Sequence, residues 1–241
     1  MKLMIASDLH GSAYYTHQLL DAWDREGAPR LFLLGDILYH GPRNDLPEGY
    51  APKEVLAMLN ERKDRIFCVR GNCDGEVDQM VLDFPIMADY AVLTEGERLI
   101  YATHGHVYNT AHLPPLQPGD ILLHGHTHVP AWQAFGEGNL YLNPGSVSLP
   151  KENSPHSYLT LEGGKFLWKE LDGTVYHELN IYLQHKKAPS QRGPFCLFIP
   201  VLSAQSGRSF PPCLLPIRYP LLQSDNPQQT PHRCGGRAQR R

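Results

Sequence analysis

Leu3 to Ala6, Leu31 to Leu34, Ile66 to Val69, Leu99 to Ala102 and Ile121 to Leu123 are short apolar runs of β-prone residues, each followed at once by a polar cluster. Runs of this kind describe strands buried on both faces. Between the first two, Tyr15, Leu19, Ala22 and Trp23 recur at helical spacing and Gly27 supplies a stop. Between the next two, Pro52 opens a segment that places Val55, Leu56 and Leu59 on one face. The order β-α-β-α-β is that of a layered α/β domain.

After Asp83 the helical pattern fades. Strand-like stretches follow at Asn139 to Leu142, Ser157 to Leu161, Lys165 to Leu171 and Val175 to Leu179, with turns at Gly136-Glu137-Gly138, Gly163-Gly164 and Asp172-Gly173. They predict a second sheet packed on the first. The periodic pattern stops near Ile181.

Composition divides the chain at the same place. Residues 1–181 hold 13 Lys and Arg against 24 Asp and Glu, a balance of −11, whereas residues 182–241 hold 9 against 1, or +8. The second segment also carries 9 of the 21 prolines and 3 of the 5 cysteines, and Pro and Gly interrupt its apolar runs before they reach element length. The expected organisation is a catalytic domain over residues 1–181 and a Pro-rich basic extension over residues 182–241, disordered or loosely docked. That extension reads either as a nucleic-acid arm or as a segment without an evolved role, and its scattered basic residues favour the second. Met1-Lys2 runs directly into "LMIASDLHG", too quickly polar for a secretory signal, and no apolar run approaches the roughly 20 residues of a membrane span. Cys68 and Cys73 are the cysteines of the acidic part, so no disulfide framework is expected there. A cytoplasmic enzyme is the expectation.

Each early strand ends in chemistry. The clusters are Asp8-Leu9-His10, Gly35-Asp36, Gly71-Asn72-Cys73-Asp74, His104-Gly105-His106 and Gly125-His126-Thr127-His128. Strand ends of an open α/β sheet converge on a crevice, and so many carboxylates and imidazoles in one crevice call for a cation. A donor set of Asp, Asn and His suits Mn²⁺, Fe²⁺, Co²⁺, Ni²⁺ or Zn²⁺ in an open site rather than a closed structural zinc site. Seven donors exceed what one ion needs, so two divalent ions are expected.

The patterns D-x-H, G-D, G-N-x-D, H-G and G-H-x-H in this order resemble those of the calcineurin-like metallophosphoesterases, and "GDILYHGPRNDLPEGYAP", "VRGNCDGEVDQM" and "LNPGSVSLPK" resemble the small bacterial phosphodiesterases among them. The resemblance covers about residues 1–180. It implies a four-layer α/β/β/α sandwich of two mixed sheets. It further implies that Asp8, His10 and His128 hold one ion, that Asn72, His104 and His126 hold the other, and that Asp36 bridges them. The implied activity is hydrolysis of a small phosphodiester by a metal-activated water, with Mn²⁺ the foremost metal and self-association a family expectation. Arg43 and Asn44, in the loop after Asp36, read equally as phosphate contacts or as surface residues.

Cys73 departs from the commoner pattern of the family, which has a histidine there to stabilise or protonate the leaving group; the small bacterial phosphodiesterases share the cysteine. Three readings stand: nucleophile, metal ligand, or a weak substitute for the missing acid. The third is preferred, because a dinuclear site already supplies a nucleophile and a thiol is a poorer acid than imidazolium. Asp36, Asn72 and Cys73 are the expected catalytic residues. Rival functions are a phosphomonoesterase or nuclease of the same fold and a non-catalytic protein-binding scaffold. The acidic balance argues against a nucleic-acid groove, and the intact donor set argues against a scaffold.

Overall fold

The structure, a computed structural model, describes residues 1–182. The expectation for residues 183–241 lies outside the described residues. Tyr182 is the last of them; its ring lies against Gly96 and Gly164, and its hydroxyl donates to Glu95 at 2.8 Å.

Two mixed sheets lie face to face. The first runs β11-β10-β9-β1-β2-β3, from β1 (Leu3–Ala6), β2 (Arg30–Leu33), β3 (Ile66–Cys68), β9 (Ser157–Glu162), β10 (Lys165–Glu170) and β11 (Val175–Asn180). The second runs β4-β5-β6-β8-β7, from β4 (Tyr90–Glu95), β5 (Arg98–Thr103), β6 (Ile121–His124), β7 (Ala131–Phe135) and β8 (Asn139–Asn143). β1, β2 and β3 are parallel, as are β5, β6 and β8.

Alternation along the strands builds two cores. Met4, Ala6, Leu31 and Leu33 face the helix side, where they meet Leu19, Ala22 and Trp23 of α1 (Ala13–Glu26) and Val55 and Leu59 of α2 (Pro52–Asn60). Ile5, Phe32 and Leu34 face the other sheet and pack with Ile100, Ala102, Ile121, Leu123, Leu140 and Leu142. Helix α1 begins where the Ser12 hydroxyl accepts the Tyr15 N–H at 3.2 Å, and it ends at Gly27, whose φ of 61° gives the left-handed cap expected of that glycine. Pro52 opens α2 as expected.

The α/β sandwich of two mixed sheets is observed, with two differences in detail. The stretches after Ser157 were expected in the second sheet, but β9 pairs antiparallel with β1, Ile5 opposite Leu159, so β9–β11 extend the first. The reason is the long return after β8: Ser157 hydrogen-bonds back to Ser146, which places the chain beside β1 rather than on β8. The second difference is over the far sheet. Among the described residues no helix follows β5, and Tyr108 of the irregular 104–120 connection packs its ring on Tyr101 instead.

Candidate metal centre

The five polar clusters stand at the C-terminal ends of β1, β2 and β3 in one sheet and β5 and β6 in the other, so the site straddles both sheets. Two motif glycines allow that convergence. A Cβ on Gly35 would run into the backbone of Gly71, and one on Gly71 into the Asp36 carboxylate. The loops after β2 and β3 thus touch backbone to backbone, which only glycine permits.

Among the described residues, five of the seven non-glycine residues with positive φ are in these clusters: Asp8 at 60°, His10 at 47°, Asp36 at 56°, His126 at 68° and His128 at 62°. Such conformations persist only where surrounding bonds enforce them, and they gather at functional sites. Here the bonds are plain. The Asp8 carbonyl accepts the hydroxyls of Ser146 and Ser148, both at 3.0 Å. The Asp74 carboxylate accepts N–H groups of Asp36, Ile37 and Gly71 at 2.8, 2.8 and 2.7 Å. Asn143 donates to the Gly125 carbonyl and to the Thr127 hydroxyl, both at 3.0 Å, and so steadies the loop that carries His126 and His128.

The imidazoles are oriented from behind. His10 Nδ1 meets the Tyr39 carbonyl at 2.8 Å, His104 Nδ1 the Leu34 carbonyl at 2.7 Å and His128 Nδ1 the Leu149 carbonyl at 2.7 Å. A carbonyl only accepts, so each Nδ1 carries the proton and each Nε2 turns its lone pair inward. There the acceptors crowd. His10 Nε2 and His128 Nε2 are 3.2 Å apart, and they lie 3.7 and 3.4 Å from Asp8 Oδ1. His104 Nε2 lies 3.0 Å from Asn72 Oδ1, 3.1 Å from His126 Nδ1 and 3.4 Å from Asp36 Oδ2.

These two groups fit divalent cations. Asp8 Oδ1 is fully buried with no hydrogen-bond partner, which is costly unless a cation meets it. Burial pulls the imidazole of His104 down, yet the Asp36 and Asp8 carboxylates outweigh burial and lift it to about 9. The proton this favours occupies the lone pair a metal would take. His126 is pushed down to about 4, by burial first and then by the charge of His104.

All seven expected ligands are therefore brought together: Asp8, His10 and His128 around one point, His104, Asn72 and His126 around another, with Asp36 beside both His10 and His104. Cys73 is also here. Its Sγ lies within 4.8 Å of donor atoms of His10 and Asp36, its N–H donates to Asp36 Oδ1 at 2.8 Å, and Asn72 Nδ2 donates to its sulfur at 3.1 Å. Burial, then the charge of Asp36, pushes the thiol pKa well up, so Cys73 is held as a thiol by the protein groups around it.

His106 and His124 stand outside the cluster. The His106 ring centroid is 5.4 Å from that of His104, while His124 is buried and stacked on Tyr141 at 4.3 Å. The centre opens into a cleft of about 750 Å³ whose lining includes Tyr39, Arg43, Asn44, Asn72, Cys73 and Lys151. Arg43 and Asn44 line the cleft. Tyr39 and Lys151 were not singled out. Lys151 ends the run "LNPGSVSLPK", in which nothing marks it for the site; its backbone N–H donates to the His128 carbonyl at 3.1 Å.

Known proteins resemble this chain in sequence and fold. The family model of the calcineurin-like phosphoesterase superfamily domain matches residues 1–165. The phosphodiesterase YfcE of Escherichia coli K12 is 52% identical over 163 residues, which cover 67% of this chain and 88% of that protein. The probable metallophosphoesterase YsnB of Bacillus subtilis is 28% identical over 171 residues, covering 67% and 85%. The solved structure of YfcE, described as a phosphoesterase from E. coli, superposes with a TM-score of 0.72 at 45% identity, over 75% of this chain and 100% of that one. With the family model, the fold and these relatives in agreement, the chain belongs to the calcineurin-like phosphoesterase superfamily.

Proposed function

We propose that the protein is a metal-dependent phosphodiesterase that hydrolyses small phosphodiesters at a centre of two divalent ions, Mn²⁺ foremost. The observation that carries this is the inward set of lone pairs around the orphaned Asp8 Oδ1, repeated around His104 and joined by Asp36. The similarity to YfcE supplies the reaction class. Asp8, His10 and His128 would hold one ion, Asn72, His104 and His126 the other, and Asp36 both. Bound there, two such ions supply Lewis acidity, activating a water and neutralising charge on the phosphoryl group.

The chain's own groups do the rest. Asp36 and the carbonyl-anchored imidazoles fix the reacting geometry without rearrangement. Asn72, whose Oδ1 faces His104, donates its Nδ2 to the Cys73 sulfur and so orients that thiol at the cleft. Cys73 stands where an acid would serve the leaving group, and a thiol held protonated is a weak donor. Diesters with good leaving groups should therefore outpace alkyl monoesters. Among the described residues no helix is long and apolar enough to cross a membrane, and a cytoplasmic setting agrees with reduced Cys68 and Cys73.

The test is hydrolysis of bis(p-nitrophenyl) phosphate beside the matching monoester, by metal-stripped protein with and without Mn²⁺ and by the Asp36→Asn variant. Mn²⁺-dependent diester cleavage lost in the variant is expected; metal binding without turnover of either ester would overturn the reading.

A further inference from the structure

The basic residues of the described domain are almost all committed. Of the 13 Lys and Arg in residues 1–181, ten have a partner. Lys2 and Lys169 hold Glu26; Arg62 holds Asp24, Lys63 Asp83 and Lys165 Glu178. Arg25, Arg30, Arg65 and Arg70 donate to main-chain carbonyls, and Arg98 is also engaged. Arg43, Lys53 and Lys151 have no partner among the described residues. Lys53 is on α2, away from the site; Arg43 and Lys151 both line the catalytic cleft.

That placement runs against the domain's charge. A segment with a balance of −11 has carboxylates to spare for pairing, and its field repels polyanions at long range. Leaving two cations unpaired in the cleft sets up local attraction for one compact anion. Lys151 is rooted on the His128 side through its N–H, whereas Arg43 lies two residues after Gly41, on which a Cβ would press against the Cys73 sulfur. The two cations thus reach the cleft from separate loops. A cleft of about 750 Å³ also has room for much more than a phosphoryl group.

We propose that Arg43 and Lys151 form a clamp for a second phosphate, a phosphate monoester carried on the substituent of the diester being cleaved. A guanidinium fork and an ammonium together match a phosphate dianion in charge and in donor number. The substrate class is then a small phosphodiester with a phosphorylated arm. This rests on the diesterase reading above.

The test compares p-nitrophenyl propyl phosphate with p-nitrophenyl 3-phosphopropyl phosphate, following nitrophenolate release by the full chain loaded with Mn²⁺. The two esters share a leaving group and differ by one phosphate. The phosphorylated ester should be favoured about tenfold or more in kcat/KM, mainly through KM, and the preference should shrink as salt is raised. In the Arg43→Gln/Lys151→Gln double variant the ratio should fall towards one. A ratio of one in the unaltered protein, with the propyl ester still cleaved, overturns the clamp and leaves the diesterase reading standing. A preference that survives in the double variant overturns it too. Failure to cleave either ester refutes the diesterase reading itself, and the clamp with it.

Discussion

The carboxylate of Asp74 accepts the main-chain N–H of Asp36 at 2.8 Å, so the residue proposed to join two ions is held from behind by a second carboxylate. The same oxygen takes the Gly71 N–H, and its twin takes that of Ile37. One side chain thereby fastens the end of β2 to the loop that carries Asn72 and Cys73.

Asp74→Asn breaks this fastening with little change in shape. Its amide can turn only one oxygen to three N–H donors, leaving its NH₂ against at least one of them. Hydrogen bonds to a charged acceptor contribute about 1.5–3 kcal/mol each, so a loss of about 2–3 kcal/mol in unfolding free energy is expected. Mn²⁺ affinity should fall about tenfold, as for other partners that orient ligands. Urea unfolding and titration calorimetry read the two effects, and unaltered Mn²⁺ affinity would show that Asp36 needs no such anchor.

Ser146 and Ser148 should not be equivalent. Both donate to the Asp8 carbonyl, but the Ser146 hydroxyl also accepts the Leu149 N–H at 2.9 Å, and the Leu149 carbonyl in turn orients His128. Ser148→Ala touches one proposed ligand, Asp8, and Ser146→Ala two, Asp8 and His128. The expected result is a loss of Mn²⁺ affinity of about tenfold or more for Ser146→Ala and severalfold less for Ser148→Ala. Equal effects would mean the Leu149 link does not position His128.

Cys73→His tests the missing acid. The thiol is held protonated and faces the cleft beside donor atoms of His10 and Asp36, where an imidazole could donate to a departing oxygen. General acid catalysis contributes about 10²–10⁴-fold when the leaving group needs a proton. Turnover of alkyl diesters should therefore rise, with little change for p-nitrophenyl esters, which leave unaided. A variant that gains on no ester would refute this account of the cysteine.

The convergence of the candidate ligands was legible in the sequence because every cluster directly follows a strand, so local order alone brings them to a common end. Sheet membership was not. Whether Leu159 pairs with Ile5 or with a neighbour of β8 is decided by the path of the 144–156 return, which leaves no mark in the apolar period of β9. β4 escaped notice because it is an edge strand of half-exposed residues, Tyr90 and Val92 among them. The place of Lys151 at the cleft was not legible for a related reason: its nearness to His128 is a product of folding and not of spacing. The four-layer expectation anticipated the two sheets and left the 104–120 connection without its irregular form, since apolar spacing there is too sparse to predict either helix or strand.

Glu26 gives a pH-dependent prediction that stands apart from the metal site. It closes α1, its side chain is 6% exposed, and it takes Lys2 at 2.5 Å, Lys169 at 2.6 Å and the Tyr158 hydroxyl at 2.8 Å, tying the helix to β9 and β10. Burial alone would raise its pKa, but Lys169, Lys2 and Tyr158 together outweigh burial and bring it from 4.5 to about 2. A carboxyl with a lower pKa folded than unfolded stabilises the fold fully above the unfolded value, and that contribution disappears as pH falls from about 4.5 through about 2. Its size is on the order of 2–3 kcal/mol. Glu26→Gln should therefore be less stable than the unaltered protein at pH 7, and the gap between them should close between pH 5 and pH 2. Urea unfolding of both proteins across that range measures the gap directly, with all other titrating carboxylates common to each. A gap that stays constant with pH would mean Glu26 contributes through packing and not through its charge.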